Sequence, residues 1–325
     1  MVYERQNKEL VGKGYALDAL VQHINEDYPD GFDAYMVFDA DNVLAETYFE
    51  SMNRKFCEGH DLITSYRNTK NYGSNWISMG YGLWFIRESR YANHARGLLN
   101  TSCAISGTGF LFSRAIMEEL EYRWPFHMLT EDLEFTAYQV TKGRKIAFCA
   151  DAELYDEQPV KFGQSWRQRM RWTRGYMQVI HGYVGKLFKG MFRGSFSCYD
   201  MAMNIMPAFI LSALSVFCNI GFGIWGAVIG DDIMIAVRSI GETLINLCAL
   251  LMVIGGITVI TEWKHILATP FKKIISVIAF PIFMATYIPI GISSLFIKTK
   301  WKPIEHTMSV SKLSGQKDGI SNKIK

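Results

Sequence analysis

Two aspartates separated by one residue follow a short apolar run, and their spacing suggests chemistry. The run at 35–38 has the composition of a strand and ends directly at Asp39, with Asp41 two residues later. Side chains two residues apart on an extended segment point the same way, so we expect both carboxylates to converge beyond a buried strand. Mg²⁺ and Mn²⁺ favour sites of few carboxylates that substrate phosphate oxygens complete. The pair therefore predicts a site for such a cation, the alternative being a solvated turn.

A second acidic cluster stands at the start of a predicted helix, at Thr130-Glu131-Asp132. If Thr130 caps this helix, Asp132 lies in the first turn, where the positive end of the helix dipole favours an ionised carboxylate. A carboxylate that is ionised at neutral pH can accept a proton from a substrate hydroxyl group. The alternative is ordinary helix capping, in which acidic residues are common.

A third cluster lies on a predicted long helix, where Gln168, Arg171 and Trp172 occupy positions i, i+3 and i+4 and so share one face. This face offers an amide, a guanidinium group that can bind a diphosphate, and a flat ring on which a sugar can lie. The alternative is an amphipathic helix on a membrane surface, and both interpretations can hold together.

The elements that position these clusters form an α/β pattern. Strand-like runs alternate with helical patterns before about residue 200, which indicates an α/β domain with a mainly parallel sheet. The predicted strands lie at 35–38, 62–65, 104–110 and 145–149. The predicted helices begin near Lys13, Ala45, Ser113, Thr130 and Phe162. The three clusters therefore belong to the end of a strand, the start of a helix and the body of a long helix.

The C-terminal part has a different character. Residues 206–229, 243–260 and 274–296 are apolar runs near the roughly 20 residues that a membrane span requires, and three in succession favour spans over buried core helices. Lysines both precede and follow the third run. Under the positive-inside rule, either this run is re-entrant or interfacial, or the rule fails at one of its ends. The tail after Pro303 is polar and predicts disorder.

The overall composition narrows the classes of partner and compartment. The net charge of +3 is too small to predict nucleic-acid binding. The six cysteines are scattered, with no Cys-x-x-Cys pair, which favours free thiols in a reducing compartment. The first residues lack the apolar core of a signal peptide.

In this order and ahead of apolar helices, the three clusters resemble the motifs of the processive family 2 glycosyltransferases. That family includes the cellulose, hyaluronan and poly-N-acetylglucosamine synthases. The likeness covers nearly the whole chain, and although each motif is weak alone, the ordered set is specific. Further segments that look like family features are Lys13 within Gly-Lys-Gly, the loop Gly107-Thr108-Gly109, and Trp301.

The resemblance implies a GT-A-like fold and an inverting transfer of a sugar from a nucleotide-activated donor, commonly linked to UDP, to a growing polysaccharide. Carried over by motif, Asp41 would bind Mg²⁺ or Mn²⁺. Asp39 would hold the nucleotide-sugar, with a share in the metal as a further expectation. Asp132 would be the general base, with Glu131 beside it.

The remaining motif residues receive binding roles from the same resemblance. Gln168 and Arg171 would hold the diphosphate, Trp172 would contact the acceptor sugar, and Lys13 would lie near the nucleotide. The resemblance also implies a multi-pass protein of the plasma membrane with a cytoplasmic catalytic domain, and accessory polysaccharide-export subunits as candidate partners. The expected organisation is a GT-A-like domain at 1–186, an interfacial segment at 187–200, about three transmembrane helices at 201–303 and a tail at 304–325.

The chain departs from the family at its start. Family members carry an opening strand, an aspartate that grips the base and usually a membrane span ahead of the segment that corresponds to Tyr3. We therefore expect about the first third of the nucleotide-binding half to be missing, with a sheet edge left exposed. Two alternatives to the synthase follow: a non-catalytic membrane scaffold of a polysaccharide-synthesis complex, and a non-processive transferase acting on a lipid-phosphate carrier. The intact motif residues argue against the scaffold, and the Gln168–Trp172 motif argues against the lipid carrier.

Overall fold

The structure is a computed structural model that describes residues 1–5, 7, 9–206, 208–230 and 234–297. Trp301 and the predicted tail at 304–325 lie outside the described residues, as does the end of the predicted membrane region at 298–303.

A five-stranded sheet forms the centre of the N-terminal part, with the strand order β1-β4-β3-β5-β2. The strands are β1 (Ala34–Val37), β2 (Val43–Leu44), β3 (Leu62–Thr69), β4 (Phe110–Ser113) and β5 (Ala147–Asp156). The α/β class agrees with the sequence prediction, but the sheet is mixed rather than mainly parallel. Only β3 and β5 run parallel among these strands, and the other three pairings are antiparallel.

The antiparallel pairings arise where the chain returns to the sheet in the reverse direction. β4 enters between β1 and β3 with its direction opposed to both, and the two residues of β2 pair backwards with the end of β5. The segment 104–110, predicted as a short strand that runs into a loop, is instead mostly irregular and leads into a strand. Gly107 and Gly109 adopt positive φ angles of 80° and 65°, so the backbone turns there and the strand begins only at Phe110.

Helices pack on both sides of the sheet and continue beyond it. Those of the first half are α1 (Lys13–Asp27), α2 (Tyr48–Cys57), α3 (Trp76–Arg87), α4 (His94–Leu98), α5 (Arg114–Glu119) and α6 (Glu131–Thr141). A π-helical stretch, Glu88–Asn93, joins α3 to α4. Those of the second half are α7 (Phe162–Phe192), α8 (Phe196–Ile205), α9 (Ala208–Gly230), α10 (Met234–Thr261), α11 (Pro270–Ala285) and α12 (Tyr287–Phe296).

Helix α3 connects the sheet to the C-terminal helices, and the sequence reading did not predict it. It packs on β3 on one side and on α10 and α11 on the other. Most of its side chains are buried, so its composition is apolar all round and lacks the one-sided pattern that reveals a surface helix. Its start carries a capping box, in which the Asn75 side chain accepts from the backbone of Ser78 and the Ser78 hydroxyl accepts from the backbone of Asn75.

Two of the described helical stretches are long and apolar enough to cross a membrane: Val237–Thr261, and the α11–α12 pair over Pro270–Phe296. Phe217–Gly230 is a shorter apolar stretch. Protein buries little of the Val237–Thr261 helix, so its apolar side chains face outward rather than into a core. The third predicted run is divided at Thr286, where α11 ends and α12 begins.

The predicted interfacial segment at 187–200 includes the end of α7 and the start of α8. Large apolar side chains stand exposed on both, at Phe192, Phe196 and Tyr199. Helix α8 is also tied to the N-terminal part, because Asp200 forms an ion pair of 2.6 Å with Arg96 of α4.

Candidate active site

The turn after β1 is held by hydrogen bonds to a neighbouring loop. The backbone N–H of Asp39 donates to Thr108 Oγ1 at 3.0 Å and to Asn42 Oδ1 at 3.1 Å. The N–H of Asn42 donates to the carbonyl oxygen of Asp39 at 3.1 Å, which closes a turn. The segment is therefore not extended, so the alternation that predicted a common direction for the Asp39 and Asp41 carboxylates does not apply to it.

Asp39 faces the start of α1. The ammonium nitrogen of Lys13 lies 2.5 Å from Asp39 Oδ1 and 2.7 Å from the carbonyl oxygen of Gly107. The side chains of Lys13 and Asp39 are 22% and 41% exposed, so the pair is in contact with solvent. An exposed pair of this kind is weakly held, and its ammonium group can exchange a carboxylate for a substrate phosphate at small cost.

Asp41 is held by the residues at the end of β5. Its Oδ2 accepts a hydrogen bond of 2.9 Å from the backbone N–H of Glu157, and its carbonyl oxygen accepts one of 2.7 Å from Lys70 Nζ. Lys70 also lies 3.6 Å from the Glu157 carboxylate, and both side chains are buried. The backbone of Asp41 is thus fixed against the sheet while its carboxylate stays partly exposed.

The donor set decides which metals fit this region. Within the described ranges, no three His, Cys, Asp or Glu side chains group closely enough to hold a metal ion by themselves. Asp41 and Asp39 remain as two partly exposed carboxylates in one turn. This set fits Mg²⁺ or Mn²⁺, which take one or two carboxylates and complete their shell with water and phosphate oxygens.

The Thr130-Glu131-Asp132 cluster begins α6, as predicted. Thr130 occupies the position before the first helical residue, but its side chain makes no capping hydrogen bond, and its hydroxyl is buried without a partner among the described residues. The reason is its neighbour: Gly175 of α7 lies so close that the Thr130 side chain is enclosed between the two helices. Asp132 is half-buried in the first turn of α6.

Glu131 and Asp132 differ in environment. Glu131 is only 7% exposed, and burial together with the nearby charge of Asp132 raises its pKa to about 7. The positive charges of Lys13 and Arg171 oppose this rise. Glu131 is therefore about half protonated near pH 7, and it is more deeply buried than Asp132.

Arg171 approaches the same cluster from α7. Its Nη1 donates a hydrogen bond of 2.5 Å to the carbonyl oxygen of Leu129, one residue before the Thr130 position. The backbone N–H of Leu129 in turn donates to Gln178 of α7 at 3.0 Å. Two side chains of α7 therefore fix the segment that leads into Glu131 and Asp132.

Trp172 and Gln168 lie beside Arg171 on the helix, with different surroundings. The Trp172 ring packs edge-on against Tyr81 and Phe85 of α3, at centroid distances of 5.7 and 6.0 Å. Gln168 is half-buried, and its Oε1 has no hydrogen-bond partner in the described part of the chain. This amide oxygen is buried, so it is an unsatisfied hydrogen-bond acceptor between α7 and its surroundings.

Arg67 and Asp156 belong to the site, although sequence reasoning did not identify them. Arg67 Nε donates to Asp156 Oδ2 at 2.7 Å, and Arg67 Nη1 donates to the carbonyl oxygen of Ser106 at 2.6 Å. The guanidinium carbon lies 3.6 Å from the centre of the Phe85 ring. The signal was present, since each residue is near the carboxyl end of one of the two parallel strands, but the predicted strands stopped at 65 and 149.

Gly107 marks the point where these groups meet. Its carbonyl oxygen binds Lys13, and a Cβ atom at this glycine would lie 3.5 Å from Arg67 Nη1 and 3.9 Å from Asp132 Oδ2. Asp39 joins the same point through Lys13. Carboxylates and cations from separate segments thus border one small space, which stays open because Gly107 has no side chain.

A sequence profile of the family described as "Glycosyltransferase like family 2" matches residues 2–175, which is more than half of the chain. The chain belongs to this family. The match includes every predicted site residue from Lys13 to Trp172, together with Arg67 and Asp156, and it ends before the apolar helices. Family membership supports sugar transfer as the chemistry of this glycosyltransferase and agrees with its α/β, GT-A-like fold.

A similar protein is the probable glycosyltransferase YdaM of Bacillus subtilis, which is 35% identical over 128 residues. The aligned part is 39% of this glycosyltransferase and 27% of YdaM, so the chain matches about a quarter of the relative's length.

Proposed function

We propose that this chain is a membrane-bound inverting glycosyltransferase that moves a sugar from a nucleotide-sugar, by preference a UDP-sugar, to a growing polysaccharide. The observation that carries the proposal is the meeting of Lys13, Asp39, Asp132 and Arg67 around Gly107, with Arg171 fixing the adjacent segment. These groups come from five separate elements or loops. Charged side chains that served only to keep the surface soluble would have no reason to lie together at one loop. Their charges suit a site that holds a diphosphate and takes up a proton.

The donor side of the proposed reaction needs positive charge for the leaving diphosphate. The Lys13 side chain is 22% exposed and its partner Asp39 is 41% exposed, so the ammonium group is accessible to a phosphate. Arg171 and the amide N–H groups of Gln168 would bind the diphosphate from the α7 side. Preorganised cations of this kind stabilise the negative charge that develops on the leaving group.

Asp41, with Asp39, would hold Mg²⁺ or Mn²⁺ together with the diphosphate oxygens. When bound, this cation supplies further positive charge to the departing diphosphate. The chain's own contribution is to fix the Asp41 backbone through Lys70 and Glu157, so that the carboxylate is already oriented before the donor arrives.

The acceptor side of the proposed reaction needs a base. Asp132 is half-buried, stands at a helix N-terminus and borders the same space as Lys13 and Arg67. In the proposed mechanism Asp132 takes the proton from the acceptor hydroxyl as its oxygen attacks the anomeric carbon, which inverts the configuration and releases the nucleoside diphosphate. Asp132 is preferred to Glu131 as this base because the Glu131 side chain is buried, whereas Asp132 is half-buried and borders the space at Gly107.

The polysaccharide acceptor and the membrane location rest on further observations. The half-buried Trp172 ring would contact a sugar beside the site, and the unburied apolar helix Val237–Thr261 suits a lipid environment. If the site lies next to membrane helices, a growing polysaccharide could pass from the cytosolic face into the membrane region without being released from the enzyme. A non-processive enzyme would instead add one sugar to its acceptor, so product length separates the two.

The test compares Asp132→Asn with Asp41→Ala in the detergent-solubilised chain. We expect Asp132→Asn to bind UDP as the unmodified chain does, while its rate of sugar transfer from UDP-glucose or UDP-N-acetylglucosamine falls by about 10²–10⁴-fold, the usual share of a general base. We expect Asp41→Ala to lose the part of UDP binding that depends on Mn²⁺. Calorimetric titration with and without Mn²⁺ measures binding, and release of UDP with product length measures transfer.

Two results would contradict the proposal. Undiminished transfer by Asp132→Asn would refute Asp132 as the base. The absence of UDP binding and of sugar transfer by the unmodified chain would refute the activity for this chain and assign it to a longer protein that contains it.

A further inference from the structure

Arg169 is a buried cation without an acidic partner. Its side chain is 0% exposed, and among the described residues no carboxylate pairs with it. Its Nη1 donates to the Thr286 hydroxyl oxygen at 2.6 Å and to the carbonyl oxygen of Phe283 at 3.2 Å. Its Nε and Nη2 are buried with no hydrogen-bond partner in the described ranges. Such a desolvated charge is costly, so its position calls for a reason beyond helix packing.

Aromatic rings replace the missing carboxylate. The guanidinium carbon lies 4.5 Å from the centre of the Phe283 ring, 4.8 Å from that of Tyr287 and 5.9 Å from that of Tyr81. The faces of aromatic rings attract a cation, and this attraction is strongest where water is excluded. Rings from α3, α11 and α12 thus enclose a side chain of α7.

The two hydrogen bonds of Arg169 lie at the joint between α11 and α12. The Thr286 hydroxyl donates to the Phe283 carbonyl oxygen at 2.6 Å and accepts from Arg169, so three groups form one connected network. The carbonyl end of α11 carries partial negative charge, which favours a cation there. Arg169 therefore attaches the catalytic helix α7 to the break in the last apolar segment.

Trp172 packs against the same aromatic side chains that enclose Arg169. It lies one helical turn after Arg169, and it packs on Tyr81 and in the same apolar cluster as Phe283. Arg171, in contrast, is held from the other side by the carbonyl oxygen of Leu129. A change at the joint would therefore reach the Trp172 ring before it reached the diphosphate-binding groups.

We propose that Arg169 is a positioning residue that couples the α11–α12 joint to Trp172 and so sets the acceptor side of the transfer site. The proposal rests on the proposed function only through the role of Trp172 at the acceptor. The coupling itself is a property of the fold, and it can be measured without any sugar transfer.

The test replaces Thr286, which lies away from the reacting groups. Thr286→Val removes the hydroxyl at nearly constant shape, whereas Thr286→Ser keeps it. We expect kcat for transfer to fall about tenfold in Thr286→Val, the size of losing one hydrogen bond to a charged group, with UDP affinity unchanged and Thr286→Ser close to the unmodified protein. Hydrogen exchange is measured on the same variants, and we expect faster exchange both at 283–290 and at 166–175 in Thr286→Val alone.

Arg174→Gln provides the matched control. Arg174 also joins α7 to a helix end, because its Nη1 donates to the carbonyl oxygens of Ile297 at 2.7 Å and Ser294 at 3.2 Å. It lies outside the aromatic enclosure, so we expect its loss to leave kcat unchanged. Exchange confined to 283–290 in Thr286→Val, or an equal loss of kcat in Thr286→Ser or Arg174→Gln, would overturn the coupling. Coupled exchange without transfer by any variant, including the unmodified chain, would uphold the coupling and contradict the proposed function alone.

Discussion

The neighbouring carboxyl groups of Glu131 and Asp132 differ in burial, because Glu131 is buried and Asp132 is only half-buried. Glu131 points into the packed start of α6, where burial raises its pKa to about 7. Asp132 points towards Gly107 and the open side of the site. Sequence alone could not separate their roles, because both stand in the first helical turn and both are acidic.

Replacement of Glu131 by glutamine gives a pH-dependent prediction. A carboxyl whose pKa is raised on folding, from the ordinary 4.5 to about 7, stabilises the fold fully only below about pH 4.5, and this contribution is lost as the pH rises to about 7. Glu131→Gln cannot ionise, so we expect its stability to fall less over this range, by up to about 1.4 kcal/mol per pH unit. Thermal unfolding from pH 4.5 to 7.5 measures this. Parallel curves for both proteins would refute the raised pKa.

The residues of the site show which signals a sequence carries and which it does not. Residue type, spacing and the family resemblance singled out the motif residues from Lys13 to Trp172, and the structure brings Lys13, Asp39 and Asp132 to one loop. Their partners were not predictable, because Asp39 turns to Lys13 and Asp41 to Glu157 through a backbone turn that no periodicity reveals. Metal binding and the other roles of these residues stay predictions.

At the scale of elements, α7 is the part that organises the site. It holds the segment before α6 through Arg171 and Gln178, and it packs against the start of α6 at Gly175. Its length and its basic, aromatic character were predictable from the sequence. Helix α3, on which Trp172 rests, was not, because a helix buried on nearly all sides lacks an amphipathic pattern.

The contact between α6 and α7 predicts a specific effect of Gly175→Ala. A Cβ at Gly175 would lie 2.5 Å from Thr130 Cγ2 and 2.9 Å from the Thr130 backbone nitrogen, so the start of α6 must move away. We expect a stability loss of about 1–3 kcal/mol, as for other overpacked positions, and a lower transfer rate because Asp132 moves with Thr130. Thermal unfolding and UDP release measure the two effects.

The matched control for this substitution lies on the same helix. Gly185 is exposed, and a Cβ there would meet nothing within 4 Å. Alanine is favoured over glycine in helices by about 1 kcal/mol, so we expect Gly185→Ala to retain activity and to be at least as stable as the unmodified protein. Equal behaviour of the two alanine variants would show that the α6–α7 contact does not constrain the site.

At the scale of the whole molecule, the catalytic part and the apolar helices are joined by buried contacts rather than by a linker. Tyr66 of β3 donates to Glu262, just beyond α10, at 2.8 Å, and Asn68 donates to the carbonyl oxygen of His265 at 2.8 Å. Lys273, near the start of α11, is also buried. The apolar character of the C-terminal helices was predictable from composition, but their close attachment to the sheet was not, because long-range contacts leave no local pattern.

The native cysteines test the proposed membrane spans at this scale. Cys57 is exposed on α2, and Cys248 is exposed within Val237–Thr261, so in water both thiols would react. If lipid surrounds that helix, a membrane-impermeant maleimide will label Cys57 in vesicles with the cytoplasmic face outward, and Cys248 only after solubilisation in sodium dodecyl sulfate. Mass spectrometry assigns each label to its cysteine, with Cys57→Ser and Cys248→Ser as controls, because Cys218 is exposed as well. Labelling of Cys248 in intact vesicles would contradict a transmembrane position, and labelling of Cys57 only in vesicles of the opposite orientation would contradict a cytoplasmic catalytic domain.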